Sequence, residues 1–62
     1  MRKGKILSLN AFENSGRIED ENEQEIAFCL KDLNGVINVD DNVLFEIELT
    51  SHGLIATKII VC

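Results

Sequence analysis

Val43-Leu44-Phe45-Glu46-Ile47-Glu48-Leu49 is the stretch on which the reading of the fold turns. Val43, Phe45, Ile47 and Leu49 alternate with Leu44, Glu46 and Glu48, the period of two required by a strand with one dry and one wet face. Upstream, Lys5-Ile6-Leu7-Ser8-Leu9 is predicted as a first strand ended by Asn10, and Asn14-Ser15-Gly16 carries turn chemistry before Arg17-Ile18-Glu19 restarts a strand. Residues 20–24 are polar and predict a loop, whereas Glu25 to Leu30 is a short apolar run suited to a buried or half-buried strand. Lys31-Asp32-Leu33 has room for one helical or 3₁₀ turn. Asn34-Gly35 is a strong turn signal, since both residues tolerate positive φ. Asp40-Asp41-Asn42 and Thr50-Ser51-His52-Gly53 are further turns, and Leu54 to Val61 is a last β-rich run. Some five short strands with turns roughly every 8–12 residues predict a small all-β barrel or sandwich. A five-stranded OB-fold barrel and an SH3-like barrel both satisfy this pattern, and periodicity does not choose between them.

At 62 residues the chain is read as one domain, residues 1–62. A chain this short buries only about 60% of the surface its unfolded form exposes, so its stability is expected to be marginal. No apolar run nears the roughly 20 residues of a membrane-spanning helix. The basic start Met1-Arg2-Lys3-Gly4-Lys5 is followed by no long apolar segment and cleavage site, so the expected location is the cytoplasm. Cys29 and Cys62 are then read as free thiols. One His and two Cys without metal-site spacing give no metal signature, and no cofactor is expected.

The formal net charge is −5, the opposite of the basic stripe common in nucleic-acid binders. Glu13, Glu19, Asp20, Glu21, Glu23 and Glu25 form an acidic stretch relieved only by Arg17. It would repel phosphate unless the fold turns it away from a binding face. Read more simply, the acids are a solvated surface that keeps a small protein in solution.

The order of motifs Lys3-Gly4-Lys5-Ile6, Asn10, Gly16-Arg17-Ile18, Ile26-Ala27-Phe28-Cys29-Leu30, Val43-Leu44-Phe45-Glu46 and Ala56-Thr57-Lys58-Ile59 resembles that of bacterial cold-shock domains over nearly the whole chain. The resemblance implies a five-stranded OB-fold Greek-key barrel that binds single-stranded RNA or DNA, with bases stacked on aromatic side chains from two adjacent strands. It also implies that the aromatic platform is lost. The first motif, similar to Lys-Gly-Phe-Gly-Phe-Ile in the family, reads Glu13-Asn14-Ser15-Gly16-Arg17-Ile18 here. The second, similar to Val-Phe-Val-His-Phe, reads Ile26-Ala27-Phe28-Cys29-Leu30, and a first-strand Trp has become Ser8. The chain is also shorter than the family between Leu33 and Val43. The core positions Ile6, Leu9, Ile18, Ile26, Phe28, Val43, Phe45 and Ile47 stay apolar. The implied nucleic-acid binding is therefore weak or atypical.

The candidate nucleic-acid positions are Lys3, Lys5, Ser8, Ser15, Arg17, Ala27, Cys29 and Lys58. Arg17 leads them, since it replaces a stacking residue and could stack on a base or contact a phosphate; otherwise it is a surface arginine paired with nearby acids. Cys29 is read either as a reactive thiol or as a small hydrophobe. His52 has no evident nucleophile or oriented carboxylate to work with. No catalytic residues are assigned, and the chain is expected not to be an enzyme. Leu7, Phe12, Leu44, Leu54 and Ile55 fall where alternation or turns would leave them outside, so Leu7, Phe12 and Leu44 are the candidate contacts for a protein partner or a homodimer. Unpaired barrel edges would offer a further place for a partner's strand.

Overall fold

The computed structural model describes residues 1–33 and 36–62, with Asp32 described by its backbone alone. The turn expected at Asn34-Gly35 lies outside the described residues. The strands are β1 (Arg2–Asn10), β2 (Ser15–Asp20), β3 (Glu25–Cys29), β4 (Asn42–Thr50) and β5 (Gly53–Val61), with a 3₁₀ turn at Leu30–Asp32 after β3. They close into a barrel in the order β1-β2-β3-β5-β4. All neighbours are antiparallel except β3 and β5, which run parallel through Ala27↔Ile55 and Phe28↔Ala56. This is the all-β, OB-fold-like barrel expected from the sequence. Closure rests on short ladders, Ala27↔Ile55 and Phe28↔Ala56 between β3 and β5 and Arg2 to Lys5 between β1 and β4, so the remaining parts of those edges are left outside them.

β1 closes the barrel by serving two neighbours. Arg2 to Lys5 pair with β4, and Gly4 to Asn10 pair with β2. A bulge makes the bend: Ile6 faces Ile18 and Ser8 faces Arg17, leaving Leu7 as the extra residue. The bulge resets the alternation, so Ile6 points in, Ser8 points out and Leu9 packs against the core. Leu7 is half-buried rather than outside. A second bulge lies on β5, where Lys58 and Ile59 together oppose Phe45, and Lys58 takes φ 52° to make it. Ala56 and Ile59, three apart, both become buried for that reason.

The core holds Ile6, Ile18, Ile26, Phe28, Ile37, Val43, Phe45, Ala56 and Ile59, with Leu9, Leu30, Leu33 and Ile47 packed against it. Two glycines let strands and rings approach. A Cβ on Gly4 would lie 2.6 Å from Ile18 Cγ2 and 2.8 Å from Phe45 Cε1. One on Gly16 would lie 2.5 Å from Phe28 Cζ. Gly16 is therefore a packing residue inside β2, and the turn expected at residues 14–16 is shifted to residues 11–14.

Two further expectations are corrected by tertiary context. Leu49 keeps the inward phase of Val43, Phe45 and Ile47 but is 77% exposed, because it pairs with Leu54 near the tip of the β4–β5 hairpin, where little packs over it. Asp20, expected in a polar loop, ends β2 and is only 7% exposed. Its Oδ1 accepts the backbone N–H groups of Asn22 and Gln24, each at 2.9 Å, and its Oδ2 is buried without a hydrogen-bond partner among the described residues. The β2–β3 loop is thus folded around one carboxylate, with Glu23 at φ 63° completing the turn.

Candidate nucleic-acid interface

The outer face of β1–β2–β3 is built in rows by the ladder register. One row runs Ser8–Arg17–Ala27 and continues to Ile55 on β5. The row above it runs Asn10–Ser15–Cys29, and the row below runs Lys5–Glu19–Glu25. Ser8, Ser15, Arg17, Ala27 and Cys29, scattered in the sequence, therefore occupy one continuous surface. Ser8 and Arg17 are exposed, and Ser15, Ala27 and Cys29 are half-buried.

This surface holds no stacking aromatic. Of the three phenylalanines, Phe28 and Phe45 are fully buried and Phe12 stands on the β1–β2 turn. The chain has no Trp or Tyr. Arg17 makes no ion pair among the described residues.

The remaining candidate cations go elsewhere. Lys3 and Lys5 lie on the part of β1 that pairs with β4, where Lys5 faces Glu19 across the β1–β2 ladder. Together with Gly4, Glu19, Asp20, Glu21 and Asn42 they line a shallow groove of about 220 Å³. Lys58 sits on the β5 bulge and pairs with Glu46 at 3.3 Å, with its side chain 75% exposed. It does not join the Arg17 row. Lys31, isolated in the sequence, is brought beside the β1–β2 turn because Leu30 N donates to Asn14 O at 3.0 Å. Only this long-range pairing reveals it.

The acids are sorted by the same hairpins. Glu21 and Glu23 lie on the β2–β3 loop, Glu19 and Glu25 pair next to that loop, and Asp20 turns inward. Glu13 stays on the β1–β2 turn. Acid therefore collects at the β2–β3 loop, Arg17 lies in the middle row, and the β1–β2 end carries Lys31 together with Glu13 and with Asp32, which follows Lys31 in the sequence.

The apolar candidates differ in exposure, and Leu44 pairs with Ile60, which is 53% exposed. Leu7 and Leu44 are half-buried, and Phe12 is fully exposed. Leu54 is exposed as expected, at 57%, and Ile55 is half-buried. Among the described residues, no group of three or more His, Cys, Asp or Glu is placed to hold a metal ion, and both cysteines are free. No described helix is long and apolar enough to cross a membrane. No protein-family model matches the chain, and no curated protein matches it either.

Proposed function

We propose that this protein is a small non-enzymatic module of cold-shock type that binds single-stranded RNA or DNA on the outer face of β1–β2–β3, through a few polar and cationic contacts rather than a stacking platform. The observation that carries this reading is the Ser8–Arg17–Ala27 row, with Ser8 and Arg17 exposed and Ala27 half-buried, which crosses β2 and β3, the strands with which OB-folds contact oligonucleotides. The exposure of Arg17 supports it, because its guanidinium makes no ion pair among the described residues and can meet a phosphate. Base–aromatic stacking is worth about 1–3 kcal/mol per base, so a face without aromatics binds weakly. Free thiols at Cys29 and Cys62 suit a reducing compartment such as the cytoplasm.

Fluorescence anisotropy of labelled single-stranded oligomers, titrated at low and moderate salt, tests the reading. Affinity is expected to fall with salt by about 0.7 in log K per log salt for each phosphate contacted. Arg17→Ala should weaken binding and flatten that slope by about one such step. Absence of binding by the wild-type protein at low salt refutes the proposal.

A second reading has its own observation. Leu49 and Leu54 face each other across the β4–β5 ladder and are 77% and 57% exposed. A paired apolar surface of this kind fits a protein partner or a second copy of the chain. Sedimentation equilibrium of the wild-type protein and Leu49→Lys tests the self-association form. A monomer at all concentrations rules that form out.

A further inference from the structure

We infer that Phe12 is the base-stacking residue of this protein, and that the nucleic-acid footprint runs from the β1–β2 turn onto the outer face at Arg17. The inference rests on the nucleic-acid reading given above and names the contact set within it.

Three independent features meet at this turn. The first is exposure. Phe12 is 101% exposed, with both faces of its ring in water, whereas the other two phenylalanines are sealed in the core. A flat aromatic surface in that state is complementary to a flat partner, and every nucleobase offers one.

The second is rigidity. The turn is held at both sides: Asn10 Oδ1 accepts the N–H of Glu13 at 3.1 Å, and Ala11 O accepts the N–H of Asn14 at 3.3 Å, with Asn14 at φ 57°. Asn14 O in turn accepts the N–H of Leu30, tying the turn to the end of β3. Phe12 is therefore presented on a fixed turn, and ordering it on binding costs little backbone entropy.

The third is charge. Lys31 follows Leu30 directly, so its ammonium is carried on the segment bonded to the turn. Arg17 lies on the outer face one row below Ser15. A solvated ring with one cation on the adjoining strand face and another on the segment bonded to its turn suits a base with its backbone phosphates. Glu13, on the same turn, opposes phosphate and keeps the affinity low. A neutral apolar ligand would use the ring but not the cations.

The test uses the whole chain and a labelled single-stranded oligothymidylate. Phe12→Ala is expected to weaken binding by about 5- to 140-fold, the loss of one stacked base. Phe12→Trp should retain binding, and its indole, in a chain with no other Trp or Tyr, should be quenched as the oligomer is added. Lys31→Ala and Arg17→Ala should each flatten the salt slope by about 0.7, and Lys3→Ala should change nothing. In ¹⁵N-resolved spectra the shifting amides should be those of residues 11–17 and 30–31, with Ser8 and Ala27 beside Arg17. Wild-type binding that Phe12→Ala leaves intact, or shifts centred on Lys3 and Lys5, overturns the footprint while leaving the general reading standing. No wild-type binding at low salt overturns both. Self-association that depends on Phe12, with no oligomer bound, overturns the inference and assigns the ring to a second copy of the chain. Because Phe12 touches nothing in the fold, Phe12→Ala should unfold as the wild type does, so lost binding will not be lost folding.

Discussion

Replacing Gly16 by alanine adds one methyl group, and the structure specifies where it must go. The new Cβ would lie 2.5 Å from Phe28 Cζ, 2.7 Å from Phe28 Cε1 and 2.8 Å from the backbone oxygen of Ser8. Phe28 is 2% exposed, so its ring has no free space to swing into. Ser8 belongs to β1, which is hydrogen-bonded to β2, so its carbonyl cannot retreat without loosening that ladder. Gly16 is not at positive φ. On backbone grounds alone, alanine would stabilise by about 0.4–1 kcal/mol, through a less flexible unfolded chain. Overpacking costs about 1–3 kcal/mol, and obstruction from both a ring and a backbone atom favours the upper part of that range. The net expectation is a loss of about 2 kcal/mol. A chain of this length has a total stability of about 3–9 kcal/mol, so the midpoint of thermal unfolding should fall by roughly 8–16 °C.

Urea unfolding followed by far-ultraviolet circular dichroism measures the effect, and linear extrapolation gives the free energies. Phe28→Leu and the double variant complete a cycle. Part of the Gly16→Ala loss should vanish when the ring is absent, giving a coupling of at least about 0.5 kcal/mol. The Ser8 clash should remain. A Gly16→Ala protein as stable as the wild type, or more stable, would refute the packing argument. The variant also bears on the binding face, since Gly16 lies between Ser15 and Arg17, and any shift of β2 displaces both.

Two further substitutions test how the β2–β3 loop is held. Asp20→Ala removes the acceptor for the N–H groups of Asn22 and Gln24 and should cost about 1–3 kcal/mol in urea unfolding; Asp20→Asn keeps one accepting oxygen and should cost less. Glu23→Gly should raise stability by about 0.5–1 kcal/mol, because the left-handed conformation costs a side-chain-bearing residue about 1–2 kcal/mol, partly offset by glycine's greater unfolded-state freedom. A destabilised Glu23→Gly protein would show that the Glu23 side chain contributes something the turn geometry does not account for.

Much of the architecture was legible in the sequence because strand periodicity is local. The alternation Val43-Leu44-Phe45-Glu46 and the polar turns between apolar runs predict five strands in a small all-β barrel or sandwich, and the resemblance supplies the inward set Ile6, Leu9, Ile18, Ile26, Phe28, Val43, Phe45 and Ile47. The resemblance to cold-shock domains chose the OB-type barrel, and the strand order agrees with that choice. Ser8, Arg17 and Ala27 were placed on one face by the same resemblance, and the ladder register brings them into one row.

What the tertiary structure decided is wherever the chain departs from strict alternation or where distant segments meet. The bulges at Leu7 and Lys58 each insert one residue, and one residue reverses every side chain that follows, so Ala56 and Ile59 could not be assigned to the core by counting. Leu49 has the phase of a core residue, but its position near a hairpin tip leaves it uncovered. Gly16 resembles a turn residue in sequence and is a packing residue in space. The acidic stretch, contiguous along the chain, is divided by the β2–β3 hairpin into exposed, paired and buried carboxylates. Lys31, distant from Phe12 in sequence, joins the same end of the face through one hydrogen bond between Leu30 and Asn14. Periodicity reports which side of a strand a residue occupies. Only register, closure and the ends of the barrel determine what stands beside it.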